Sequence, residues 1–306
     1  MGSNFCCCQK IETKKTFSNN VIFVPDEKIT IDSQALSETL DTRATVFLSK
    51  IPLIGHLLDY FFSSPEKNRL CFVKPNKYSD NPLEFELFPE GSPKPEDVLQ
   101  GHLGLCYFFA VLSTVAERDP NLIKTNMVED NEGNVSVKFF DPSDGNPFYI
   151  KVQKTVPELP KNFKFVYNNC LWVQIYLKAF IASQFSGLQG YILDFNCINY
   201  KYAEGGLMDL VIRMITGKET ETSNALSVWL AKKNDLYSKI EKTLSDSGYV
   251  TCDFASHLNV IKLFLGGVSN EGLVRGHAYS IEKVYKDKNG QRWIIIRNPW
   301  GYFSST

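Results

Sequence analysis

Apolar side chains along this chain occur in two kinds of run, and the change from one to the other marks out its elements. From Cys106 through "YFFAVL" to Ala116 no Gly or Pro intervenes, which predicts a buried helix entered from a loop that carries Gly101 and Gly104. The segment "NNCLWVQIYLKAFIASQF" (168–185) spaces its large residues helically, and "ALSVWLAKKNDLYSKIEKTL" (225–244) predicts a further helix. Alternation takes over in "NVSVKFF" (134–140) and "PFYIKVQKTV" (147–156), which predict strands. Near the end, "HAYSIEKVYK" and "QRWIIIRN" flank Asp287-Lys288-Asn289-Gly290, the pattern of a hairpin. Residues 11–43 are polar without strong periodicity and predict a linker or loose arm, and 74–97 mixes aromatic, Pro and charged residues as loops leading to Gln100. The stretch "ITGKETETSN" (215–224), after the turn-rich "AEGGLMDL", is the best break between a mixed first half with helices around the thiol and a β-rich second half. The fold class expected is α+β, and no internal repeat is evident.

A chain of 306 residues can bury a sizeable core and corresponds to about two domains of ordinary size. With 43% hydrophobic and 22% charged residues and a formal charge of −1, the composition is that of a soluble globular protein. It carries neither the basic excess nor the basic and aromatic stripe of a nucleic-acid binder. The longest apolar stretch, 44–62, is interrupted by Lys50, Pro52, His56 and Asp59, which excludes a membrane span and leaves an amphipathic or core segment. Its eight cysteines show no zinc-site spacing and no secretory signal precedes them, so a reducing, cytosolic setting without disulfides is expected.

The first ten residues, "MGSNFCCCQK", change that picture. Gly2 is placed to accept myristate and Cys6, Cys7 and Cys8 to accept palmitate, although position 6 holds Cys where the usual pattern has Ser or Thr. One acyl chain binds a membrane marginally and a second makes the anchor stable. Lys10, Lys14 and Lys15 add attraction to an anionic leaflet. The expected location is the cytoplasmic face of a membrane.

Cys106 is the candidate nucleophile, because a thiol in the first turn of a helix meets unpaired main-chain N–H groups and the positive end of the helix dipole. A thiol used this way needs a base and the base an orienting group. His56 and His257 lie in apolar-periodic contexts and His102 sits four residues before Cys106, so structural or surface roles suit them. His277 follows Gly276 and opens a strand, while Asn298 closes the next strand and is held by the stiff Pro299-Trp300-Gly301 turn. Adjacent antiparallel strands bring two such residues side by side.

Three segments carry a resemblance. "QGHLGLCYFFA" resembles the calpain signature Gln-Gly-x-Leu-Gly-Asp-Cys-Trp, "GHAYSI" is similar to the histidine segment of that family, and "RNPWG" to its Asn-Pro-Trp-Gly segment, in the same order and over roughly residues 70–301. The resemblance implies a papain-like, two-lobed intracellular cysteine endopeptidase. It implies an arm over 1–64, a Cys lobe over 65–215 and a His/Asn lobe over 216–306, hinged near 210–222 and expected to be incomplete because the chain stops at Thr306. It makes Cys106 the nucleophile, His277 the general base and acid, Asn298 the orienter, Gln100 an oxyanion donor with the Cys106 N–H, and Trp300 the shield of the His277–Asn298 contact.

Protein or peptide substrates are implied, and no cofactor is required for the chemistry. Departures from the pattern are Leu105 for Asp and Tyr107 for Trp. Calcium is implied as a regulator and Asp97 matches one ligand of a first site, but Leu177 stands where an acidic ligand is expected. Two rivals remain: a catalytically inactive calpain-like scaffold at a membrane, and an acyl transferase of the transglutaminase type, which Asn298 disfavours because that chemistry orients its imidazole with Asp.

Overall fold

The computed structural model describes residues 21–30, 72–73, 86–100, 104–157, 170–183, 198–223, 236–254, 273–274 and 276–300. Gly2, Cys6, Cys7, Cys8, His56, His102, His257 and the apolar stretch 44–62 lie outside them.

The run beginning at Cys106 forms the central helix, α1 (Cys106–Arg118), in which every residue from Tyr107 to Ala116 is buried. A helix apolar on all sides has to be enclosed by other elements, and α1 is. Asp119 ends it and caps the next, α2 (Pro120–Asn126), where its carboxylate accepts the Leu122 N–H at 3.1 Å and Pro120 occupies the first turn. Three further helices are described, α3 (Leu171–Ala182), α4 (Met208–Thr216) and α5 (Leu236–Ser245).

The alternating segments give β5 (Asn134–Phe140) and β6 (Pro147–Gln153), antiparallel from Asn134↔Gln153 to Phe140↔Pro147. They are the middle of a four-stranded sheet closed on one side by β4 (Met127–Glu129) and on the other by β1 (Val21–Val24). Every second residue of β6 is buried, the period of a sheet with one covered face. The sheet meets α3 through Phe139, which lies edge-on to Tyr176 at 5.5 Å, and α3 in turn meets α1 where Phe180 stacks on Phe108 at 4.4 Å.

Residues 21–30 depart from the loose arm expected before residue 64. β1 runs parallel to β6, with Val21 opposite Tyr149 and Val24 opposite Val152, and β2 (Ile29–Thr30) pairs in parallel with β8 (Ile198–Asn199). Val24 and Ile29 are buried in the main core. Between them Asp26 pairs with Lys178 of α3, a lysine only 1% exposed, and Asp26 also receives the Thr155 hydroxyl at 2.5 Å. A four-residue strand whose partner lies over a hundred residues away leaves no local signal, which is why the composition of 11–43 read as linker.

The second sheet follows the hairpin expectation. β10 (Ala278–Lys286) is flanked by β11 (Arg292–Arg297) and β9 (Thr251–Asp253), both antiparallel, with a bulge between Ile281 and Lys283. Asp287 closes the hairpin by accepting the N–H groups of Asn289 and Gln291 at 2.9 Å each. The first four residues of β10 are buried, and this end of the strand packs on α1. The result is the α+β architecture expected from the sequence, with the thiol helix set against the start of the histidine strand. Two short ladders complete it, β2 with β8 and β3 (Phe72–Val73) with β7 (Val156–Pro157).

Candidate active site

Cys106 is the first residue of α1, and Leu105 before it supplies no side-chain cap, so the N–H groups of the first turn remain directed at the entrance. The sulfur faces the main-chain N–H groups of Ala278, Tyr107 and Cys106 itself. Burial pushes the thiol above its ordinary value, and these three donors pull the other way. Burial likewise lifts Cys170 to about 12 and Cys252 to about 11, with the carboxylates of Asp97 and Asp253 beside them. Cys106 is therefore the described thiol whose surroundings favour the anion through main-chain donors.

His277 is 4% exposed and immediately precedes the residue whose N–H faces the thiol. Its Nε2 lies 2.8 Å from Asn298 Oδ1. The same oxygen accepts the Trp300 N–H at 3.0 Å, which fixes the carboxamide with its oxygen toward the ring. An imidazole that donates through Nε2 carries its lone pair on Nδ1, the tautomer a base needs. Burial holds the imidazole below its ordinary 6.5, and the Asn298 contact opposes that push. The Trp300 ring lies over the imidazole at 4.3 Å.

Gln100 joins this cluster through its main chain, donating its N–H to Pro299 O at 2.7 Å, and is 4% exposed. The structure thus brings Gln100, His277, Asn298 and Trp300 together and sets the helix of Cys106 against the strand of His277. Of the three main-chain donors that face the thiol, Ala278 is the one across from α1, one residue past the imidazole.

Two sequence departures acquire physical reasons. Tyr107 donates its hydroxyl to Ala203 O at 2.7 Å, joining α1 to the glycine turn before α4. Gly206 lies so close to that ring that a Cβ would come within 2.4 Å of it, and this close approach was unreadable from the two glycines alone. Leu105 is 0% exposed and simply fills core.

Asp97 serves the scaffold. Its Oδ2 accepts Trp172 Nε1 at 2.9 Å and the Lys94 N–H at 3.0 Å, and Leu177 on the same helix as Trp172 is fully buried. Calcium takes six to eight oxygens. Among the described residues no three His, Cys, Asp or Glu side chains form a metal-holding group, so those present do not fit a calcium cage. No described helix is long and apolar enough to cross a membrane.

Residues 59–305 match the family model described as calpain family cysteine protease. The chain is similar to the calpain-type cysteine protease DEK1 of Arabidopsis thaliana, 28% identical over 237 residues that make up 74% of this chain and 10% of that protein. It is similar to calpain clp-1 of Caenorhabditis elegans, at 24% over 255 residues, 79% of this chain and 29% of the other. The calpain-1 catalytic subunit of Rattus norvegicus is 24% identical over 260 residues, 82% of this chain and 33% of its own. The chain spans a tenth of the length of the plant relative and no more than a third of the animal ones.

Proposed function

The chain belongs to the calpain family of cysteine proteases, and from that premise we propose that it hydrolyses peptide bonds with Cys106 as nucleophile, His277 as base and acid, Asn298 as orienter and Gln100 as oxyanion donor. The observation that carries this reading is the Nε2 contact of His277 with Asn298 Oδ1 at 2.8 Å, immediately before the strand residue that faces the thiol. It leaves Nδ1 as the nitrogen that takes a proton.

The chemistry follows from the residues. The Cys106 proton passes to Nδ1 of His277 as the sulfur attacks the substrate carbonyl carbon. Negative charge that develops on the carbonyl oxygen is met by the Cys106 N–H and the Gln100 carboxamide. The imidazolium gives its proton to the departing amine, leaving a thioester; the neutral imidazole then takes a proton from the water that attacks the thioester and returns it to the departing Cys106 sulfur as the acid product is released. Trp300 over the ring keeps bulk water from competing for Asn298 Oδ1. No step is routed through calcium. Extended protein or peptide segments are the substrates, and acylation at Gly2 with one or more of Cys6, Cys7 and Cys8 holds the enzyme on a cytoplasmic membrane face.

Cys106→Ser is the test. Hydrolysis of an unfolded protein substrate is expected to fall at least about a thousandfold with the circular dichroism spectrum unchanged. Unchanged turnover in this variant overturns the assignment and places the chemistry at another residue, whereas absence of turnover in the wild-type chain favours a scaffold.

A further inference from the structure

Tyr279 takes no part in the chemistry above, yet it touches both the base and the chain that leads to it. Tyr279 lies on β10 two residues past His277, which immediately precedes the strand. Its ring meets the imidazole edge-on, with centroids 4.9 Å apart and an interplanar angle of 87°. Trp300 provides a second wall at 4.3 Å with a 39° tilt. Asn298 fixes one atom of the imidazole, and a ring held at one atom still rotates about that contact. Two aromatic walls at different inclinations remove this freedom.

The hydroxyl does separate work. It accepts the Val274 N–H at 2.7 Å, reaching back to the backbone that runs into His277. Between the two lies Gly276 at φ 65°, a conformation in which an L side chain is strained, so the turn is set by backbone alone. Without an external tie such a turn transmits its freedom to the residue after it. Tyr279 is 3% exposed, and Cys252 lies directly across the ladder from it, so nothing solvent-borne substitutes for either contact.

We propose that Tyr279 is a positioning residue for the reaction: its ring sets the inclination of the His277 imidazole, and its hydroxyl holds the Val274 N–H in the backbone just ahead of Gly276 and His277. This rests on the assignment of His277 as the base. Around the pair the titratable groups among the described residues are Cys106 on α1 and Cys252 and Asp253 on β9. Burial holds the imidazole low, and removing the tyrosine ring admits water to it, which returns its titration toward 6.5.

The experiment is the rate of Cys106 alkylation by iodoacetamide in the full chain as a function of pH, with the site of modification mapped by mass spectrometry. Tyr279→Leu removes ring and hydroxyl, and Tyr279→Phe removes the hydroxyl alone. Tyr279→Leu is expected to slow alkylation at pH 7 about tenfold and to move the acid limb to higher pH. Tyr279→Phe keeps the acid limb in place, slows alkylation by less, and increases hydrogen exchange at the Val274 amide. A merely structural role would lower the folded fraction without moving the limb.

A wild-type rate and limb in Tyr279→Leu overturns the proposal. Should that variant fail to fold, wild-type exchange at Val274 together with a wild-type rate in Tyr279→Phe does the same. His277→Ala in parallel separates the two readings. If it abolishes the acid limb while the Tyr279 variants leave the limb unchanged, only the positioning role falls; if it leaves the limb unchanged, the assignment of His277 as the base falls and the positioning role with it.

Discussion

At the scale of single residues, the protonation states of the site follow from burial set against a few donors. Burial pushes the His277 imidazole below its ordinary value and the Cys106 thiol above its own, and both shifts act toward the neutral forms. The competent base is the neutral ring, and a group with a lowered pKa keeps its neutral form down to a pH below its ordinary value. The acid limb of kcat/KM for peptide hydrolysis is therefore expected below pH 6.5. A pH–rate profile with its acid midpoint above 6.5 contradicts this account of the site. Sequence pattern singled out Cys106, His277 and Asn298 as candidates, because each stands where an element begins or ends, and the family resemblance added Gln100. It did not find Tyr279, which reads as an ordinary strand aromatic until its hydroxyl is seen at Val274.

At the scale of elements, legibility followed the range of the contacts. The start of α1 at Cys106, the alternation in β5 and β6 and the turn between β10 and β11 are written in neighbouring residues, and each is found as expected. The docking of residues 21–30 is written nowhere locally, since it depends on Lys178 and Gln153 far along the chain. That docking has an energetic signature. Removing one partner of a buried ion pair leaves an uncompensated charge at a cost of about 3–5 kcal/mol. Asp26→Ala is expected to lower unfolding free energy by that order in urea titration, and a loss below about 1 kcal/mol contradicts a built-in segment. Burial pushes Lys178 down to about 8 from 10.5, with Asp26 opposing. Between those values the unfolded chain binds the proton that the folded chain has lost, so stability rises as pH climbs through this window.

At the scale of the whole molecule, the family match begins at residue 59, whereas the packed core takes in strands from residue 21. The candidate acylation sites, Gly2 and Cys6 to Cys8, thus lie within twenty residues of a segment clamped to α3. A membrane anchor proposed there would hold the core close to the bilayer. Each buried methylene contributes about 0.8 kcal/mol, so a second acyl chain converts marginal binding into stable anchoring. Gly2→Ala is expected to move the protein from the membrane pellet to the soluble fraction on cell fractionation. Full retention in the pellet contradicts the lipid reading of the N-terminus.

The central claim is that Cys106 is a nucleophile activated by His277, and covalent trapping tests it most directly. The full chain is treated with a limiting amount of a thiol-directed peptidyl epoxide, once with calcium and once with chelator, and the modified residues are identified by mass spectrometry. Cys106 is expected to carry the adduct in both conditions ahead of Cys170 and Cys252, and His277→Ala is expected to abolish its preference. Equal labelling of the three thiols, or a Cys106 adduct that forms as fast in His277→Ala, contradicts the account.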